Sequence, residues 1–122
     1  MSNLHIQTFN NHTIAEPLTD QIIIYTADDA LDIMGNASYL GASALIIKES
    51  NLSKEFFDLR TGIAGEILQK FSNYRMKLAI TGDFSKYTSK SLNDFIRESN
   101  KTGHICFVTS RDCALTYLTQ RI

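Results

Sequence analysis

The sequence predicts an α/β domain: an N-terminal β-hairpin followed by four strand-helix units, forming a mixed, mostly parallel sheet with helices packed on it. Three observations carry this. Short apolar or β-branched runs recur at residues 22–25, 44–47, 76–80 and 105–108, as in strands buried on both faces. Stretches with apolar residues at helical spacing separate them. Strands joined through right-handed helical crossovers run parallel, so only the hairpin is expected to be antiparallel, at an edge.

The hairpin is expected over residues 4–15. Leu4, Ile6 and Thr8 alternate with polar neighbours, Asn10-Asn11 supplies turn chemistry, and residues 13–15 return. Pro17, the one proline, is placed in a polar link. Ile22-Ile23-Ile24-Tyr25 reads as the first buried strand. Thr26 then caps a helix, with Asp29 at the capping-box position and both Asp28 and Asp29 at the positive end of the dipole. Ala30, Ile33, Met34 and Ala37 follow at helical spacing and Gly41 stops the helix. Gly35 weakens it by up to ~1 kcal/mol relative to Ala unless close packing needs it. Residues 44–47 form the next strand, ending at Lys48-Glu49. Beyond a polar connector, Ile63, Ile67, Phe71 and Tyr74 make one stripe on a helix from about Thr61, with Glu66 and Lys70 as an outward pair. Residues 76–80 are the third strand, closed by Thr81-Gly82-Asp83. A helix opening near Thr88 or Ser91 carries Leu92, Phe95, Ile96 and Ser99, and Gly103 closes it. After the strand at 105–108, Ser110 caps a last helix bearing Ala114, Leu115 and Leu118, and Thr119-Gln120-Arg121 reads as a frayed end.

At 122 residues the chain is the length of a single domain, 1–122, with one real core. Its 43% hydrophobic and 20% charged content is ordinary for a globular protein. Twelve basic and thirteen acidic residues give a net charge of -1, so there is no positive surplus to drive phosphate-backbone binding, and no nucleic-acid partner is expected. The longest apolar run falls far short of the roughly 20 residues of a membrane helix, and Met1-Ser2-Asn3-Leu4-His5 lacks the features of a secretory signal. Two cysteines without a CxxC, Cys106 and Cys113, read as free thiols. A cytoplasmic domain is the expectation.

In such a sheet, ligands and partners meet the carboxyl ends of the parallel strands. Those ends carry Thr26-Asp28-Asp29, Lys48-Glu49, Gly82-Asp83-Ser85 and Thr109-Ser110-Arg111, whereas the strand starts carry only Gln21, Ala42-Ser43, Arg75 and Gly103-His104. Between two of these ends lies Phe56-Phe57-Asp58-Leu59-Arg60-Thr61-Gly62, which opens a helix. Arg60, Thr61 and Gly62 there could form an anion site from backbone N–H groups, the helix dipole, a hydroxyl and a guanidinium. On the alternative reading Thr61 caps the helix, and Gly62 and Gly65 let it approach the sheet. Neither a GxGxxG nor a GxxxxGKS pattern occurs, so nucleotide binding has no support. The candidate binding or regulatory surface is Asp58, Arg60, Thr61, Gly62, Asp83 and Ser85.

Other constellations are weaker. Asp28-Asp29 has the form of a phospho-receiver's acidic pair, but Asp83 follows Gly82 and Arg111 stands where a lysine is needed; helix capping explains both acids. Cys106 lies between Ile105 and Phe107 in a buried strand, with no histidine at a spacing that suits a catalytic pair and no activating charge, and packing explains it. Cys113 lies in the first turn of the last helix and reads as a small helical residue. His5, His12 and His104 are scattered, so no metal and no cofactor are expected. Of Phe56 and Phe57, consecutive in sequence, one is expected to be exposed as a contact.

At residues 56–62, continued by Gly65-Glu66-Ile67-Leu68-Gln69-Lys70-Phe71 and Lys77-Leu78-Ala79-Ile80-Thr81-Gly82-Asp83-Phe84-Ser85, the chain resembles a bacterial family of short proteins, domain-of-unknown-function family 4180. The resemblance runs from Ile22 onward and implies no activity, since the family has none assigned. In architecture the chain also resembles STAS domains of the anti-sigma-factor antagonist type. These place a phosphorylatable Ser or Thr followed by Gly at the start of the second helix, where Thr61-Gly62 stands here. Leu59 and Arg60 depart from that pattern by replacing its acid and serine, and Arg60 would pair with a phosphate on Thr61 rather than repel it.

The leading expectation is a non-catalytic, STAS-like regulatory or protein-interaction module, its partner another protein. The alternative is a small-anion or small-molecule-binding domain, or a minor enzyme, using the helix start at Arg60-Thr61-Gly62. A redox role for Cys106 or Cys113 is the third. The residues fix neither a reaction nor an oligomeric state.

Overall fold

The computed structural model describes residues 4–102 and 104–119. One five-stranded sheet follows chain order: β1 (Leu4–Phe9), β2 (His12–Pro17), β3 (Ala44–Lys48), β4 (Lys77–Thr81) and β5 (Ile105–Val108). Only β1 and β2 are antiparallel; β3, β4 and β5 run parallel to β2 and to each other. The helices are α1 (Ala27–Tyr39), α2 (Ile63–Asn73), α3 (Lys90–Thr102) and α4 (Arg111–Leu118). The α/β class and the antiparallel edge are therefore as the sequence predicts.

Local chemistry sets the element ends. Asn10 and Asn11, at φ 51° and 67°, supply the left-handed pair that a two-residue hairpin turn needs. At the start of α1 the Asp29 N–H donates to Thr26 Oγ1 (3.3 Å) and the Thr26 N–H donates to Asp29 Oδ2 (3.2 Å), the reciprocal capping box. At its end the N–H groups of Gly41 and Ala42 donate to the carbonyls of Ser38 and Ala37, a Schellman closure with Gly41 left-handed at φ 91°. Ser110 caps α4 by accepting from the Cys113 N–H at 3.1 Å.

The strands alternate between two cores, as their period of two requires. Ala15, Leu45, Ile47, Leu78, Ile80, Ile105 and Phe107 face α1 and α2, which contribute Ile33, Met34, Ile67 and Phe71, with Phe95 and Ile96 of α3 packed alongside. Ile14, Ala44, Ile46, Ala79 and Cys106 face α4, through Ala114, Leu115 and Leu118. Right-handed crossovers that step along the sheet in one direction leave their helices on one face. Thus α1, α2 and α3 share the front, and among the described residues α4 alone covers the back.

Residues 22–25 are not a strand of the sheet. Only Ile24 is buried; Ile22 and Tyr25 are 42% and 55% exposed, and pairing is confined to one parallel bridge from Ile24 to Leu52. The place beside β3 is already taken by β2, whose Ile14 and Ala15 lie opposite Ala44 and Leu45. The hairpin's second arm is thus itself the first parallel strand, and the sheet has five strands rather than six. Pro17 ends β2, buried, rather than lying in a link.

The 19–24 segment is held by one side chain. Asn51, fully buried, donates from Nδ2 to the carbonyls of Thr19 (3.0 Å) and Gln21 (2.8 Å). Its Oδ1 accepts from the Lys48 N–H at 2.9 Å. Its own carbonyl accepts from the N–H groups of Ile23 and Ile24.

Two further expectations change. Tyr74 caps the end of α2 and is exposed rather than completing its buried stripe. A Cβ added at Gly65 would meet nothing within 4 Å, so close helix–sheet approach does not explain that glycine. The stop expected at Gly103, the first three residues and the 120–121 end lie outside the described residues.

Candidate functional site

Four of the six candidate residues lie on the connection from β3 to α2. A 3₁₀ turn at Leu59–Thr61 forms because Asp58 Oδ1 accepts from the Arg60 N–H at 3.1 Å. The Arg60 guanidinium then folds back on the same carboxylate, with Nε to Oδ1 and Nη2 to Oδ2 both at 3.0 Å. This bidentate pair holds the Asp58 carboxyl below its usual range, chiefly through the side-chain hydrogen bond, and raises Arg60. The Arg60 side chain is 91% exposed, so the pair is a feature of the surface.

Thr61 does not cap α2 in the expected manner. Its hydroxyl lies 2.8 Å from the Asp58 carbonyl and 2.9 Å from that of Glu55, and donates into this pair of acceptors. It accepts from the Ile63 N–H at 3.3 Å. The residue at the cap position is Gly62, at φ 77°, a left-handed conformation that suits glycine.

Asp83 and Ser85 lie on the next connection, from β4 to α3. Asp83 Oδ1 accepts from the Ser85 N–H (3.1 Å) and hydroxyl (2.6 Å), and those bonds hold Asp83 below its usual range. Among the described residues no hydrogen bond or ion pair links Asp83 or Ser85 to the Asp58-Arg60 pair.

Aromatic rings join the two connections instead. Phe56 is buried, whereas Phe57 is half-buried and stacks on Tyr87, centroids 4.9 Å apart and planes 15° apart. Phe84, between Asp83 and Ser85, lies 6.3 Å from Phe57 and 5.2 Å from Phe107 of β5. Stacked and edge-on rings at these separations add to the stability of area burial alone. Asp58, Arg60, Thr61 and Gly62 on one side, and Asp83 and Ser85 on the other, thus flank one aromatic seam.

Beneath the seam is a polar cluster that sequence reasoning did not single out. Glu49 has a side chain only 16% exposed. Its Oε2 accepts from the Tyr87 hydroxyl at 2.5 Å and pairs with Lys86 Nζ at 2.7 Å. Burial first, and then Glu49, push the Tyr87 phenol well above its ordinary value. Gly82 makes room: a Cβ there would lie 2.7 Å from both Cβ and Oε1 of Glu49. The signals were Lys48-Glu49 at a strand end and the glycine of Thr81-Gly82-Asp83, but the partner Tyr87 is 38 residues from Glu49.

The carboxyl edge also holds an open hollow of about 360 Å³, lined among others by Glu49, Thr81, Gly82, Ser110 and Arg111. It lies where the connection after β4 runs to the front face and that after β5 to the back, the kind of divergence at which open α/β sheets form crevices. Arg111 is engaged there: Nε and Nη2 donate to Glu16 Oε1 at 2.9 and 2.6 Å, and Nη2 also donates to Gln7 Oε1 at 2.7 Å. Lys48 pairs with Asp20 at 2.7 Å. Asp28 and Asp29 belong to the first turn of α1, with Asp29 in the capping box. Cys106 is buried, its thiol pushed by burial up to about 12, while Cys113 is exposed.

Among the described residues no group of three or more His, Cys, Asp or Glu could hold a metal ion. No described helix is long and apolar enough to cross a membrane. The family model described as domain of unknown function (DUF4180) matches residues 9–118, and the chain belongs to that family. No curated protein and no solved structure matches it.

Proposed function

We propose that this member of the DUF4180 family is a non-catalytic, STAS-like interaction module that captures a protein partner through the ridge flanking the aromatic seam. The carrying observation is the stack of Phe57 on Tyr87, which, with the Phe57-Phe84 contact and the Glu49-Tyr87 bond, ties two connections into one presented surface. A rigid surface loses little conformational entropy on binding, so more of its contact energy appears as affinity. The exposed Arg60, held in a set orientation by Asp58, is the sort of planar, pre-organised group that anchors interfaces. Phosphorylation is not part of this reading. A phosphate on Thr61 would end the hydroxyl's donation toward the Asp58 and Glu55 carbonyls.

The test is affinity capture from lysate of the native cell with the wild-type chain and Arg60→Glu, identified and quantified by mass spectrometry. A partner retained by the wild type and lost by the variant, at unchanged melting temperature, supports the reading. Equal retention, or a melting temperature that falls with retention, rejects it.

A second reading is favoured by the hollow between the ends of β4 and β5. Its lining of hydroxyls, a carboxylate and two already paired cations suits a small polar molecule. A thermal-shift screen over phosphates, nucleotides and carboxylates decides it, because a ligand that binds only the native state raises its apparent stability. No shift with any of them at millimolar concentration rejects this reading.

A further inference from the structure

The two edges of the sheet are treated differently. At the β5 edge the Asn100 side chain of α3 takes the place of a neighbouring strand. Its Oδ1 accepts from the Phe107 N–H at 2.7 Å and its Nδ2 donates to the Phe107 carbonyl at 3.4 Å. Among the described residues the β1 edge has no such cover. The Thr13 carbonyl accepts from Ser43 and so points to β3; by alternation, Ile14 and Glu16 point to β1. Their partners Gln7 and His5 therefore spend their backbone groups inside the hairpin, leaving those of Leu4, Ile6 and Thr8 directed outward. No hydrogen bond from the backbone of Ile6 or Thr8 to another element occurs among the described residues. Edge strands are ordinarily protected by charge, proline or a bulge. Leu-His-Ile-Gln-Thr-Phe has no Asp, Glu, Lys, Arg or Pro, and its register against β2 is unbroken from Leu4 to Phe9.

We infer that β1 pairs antiparallel with β1 of a second copy of this chain, joining two sheets about a twofold axis at Ile6. The register is self-complementary. Ile6 lies opposite its own copy and Leu4 opposite Thr8, so the outward-directed residues meet one another and each such pair closes two backbone bonds. On the α4 side of the sheet His5 falls opposite Gln7, so no like charges meet. The uncharged strand offers no electrostatic handle by which a foreign peptide would be selected over a second copy, and a twofold dimer needs only one patch matched to itself.

Sedimentation across a concentration series tests this, together with amide hydrogen exchange. The wild-type chain is expected to double its mass from 13.7 kDa as concentration rises, while exchange at Ile6 and Thr8 slows in step with the dimer fraction. Thr8→Pro removes an outward N–H, a change that an edge strand tolerates, and should leave a folded monomer at every concentration. A wild-type chain that stays monomeric to millimolar concentration overturns the inference, whether or not it binds an extended peptide. So does a dimer in which Ile6 and Thr8 exchange as in the monomer, since its interface lies elsewhere.

Discussion

Truncating Asn51 to alanine tests how the chain compensates for the apolar run that is not a sheet strand. The substitution removes three hydrogen bonds, to the Thr19 and Gln21 carbonyls and from the Lys48 N–H. It leaves the backbone bonds from Ile23 and Ile24 to the residue-51 carbonyl in place. Each lost bond is worth about 0.5–1.5 kcal/mol net. Thr19 is half-buried and Gln21 exposed, so their carbonyls regain water in part, which sets the expected loss at about 2–3 kcal/mol. For a chain of this length that is a fall of about 8–12 °C in melting temperature. Urea and thermal unfolding measure it, and hydrogen exchange should show faster opening at residues 19–25 and at the Lys48 amide, with the sheet centre less affected. Asn51→Asp keeps the acceptor for Lys48 but turns an oxygen toward two carbonyls, and should do no better than alanine. A loss under about 1 kcal/mol, within the range of an unremarkable substitution, would refute the assignment of Asn51 as the anchor.

Gly82→Ala should destabilise by about 1–3 kcal/mol, the usual cost of overpacking, because the added carbon meets the Glu49 Cβ, next to the backbone, as well as the carboxylate end; chemical denaturation reads it. Gly35→Ala should do the reverse and raise stability by up to ~1 kcal/mol, since a Cβ there meets nothing within 4 Å. Tyr87 has a folded-state pKa above its unfolded value. Its stabilising contribution is therefore full below about pH 10 and is lost only as pH rises through the folded pKa. Ultraviolet titration of the native protein should show a phenol that resists ionisation and disappears from the curve in Tyr87→Phe. Alkylation under native conditions should label Cys113 and spare Cys106 until unfolding, because one is exposed and the other buried with its thiol pushed up to about 12; two labels on the native chain would contradict the packing of β5 against α4.

Much of the fold was legible because its signals are local. The Thr26 and Asp29 capping box, the Gly41 stop and the Ser110 cap are each written within six residues and form as expected. The strands near 44–47, 76–80 and 105–108 were legible from apolar runs alone. The same rule failed at residues 22–25, because whether a β-branched run enters a sheet depends on whether its place is vacant, and β2 occupies it. The site was legible as an edge and as individual turns, not as a surface. Asp58 with Arg60 and Asp83 with Ser85 are contacts across two residues. The Phe57-Tyr87 stack that joins them spans thirty positions, and the Glu49-Tyr87 bond more, and neither spacing leaves a pattern in one sequence.

The placement of α4 has a consequence for synthesis. The front face can assemble as the chain emerges, since each of β3, β4 and β5 docks beside the strand made just before it. The back face cannot. Ile14, Ala44, Ile46, Ala79 and Cys106 wait for Ala114, Leu115 and Leu118, and Glu16 waits for Arg111, 95 residues later. A nascent or truncated chain ending before residue 111 carries a formed sheet with one bare apolar side, the kind of surface on which aggregation begins and chaperones act.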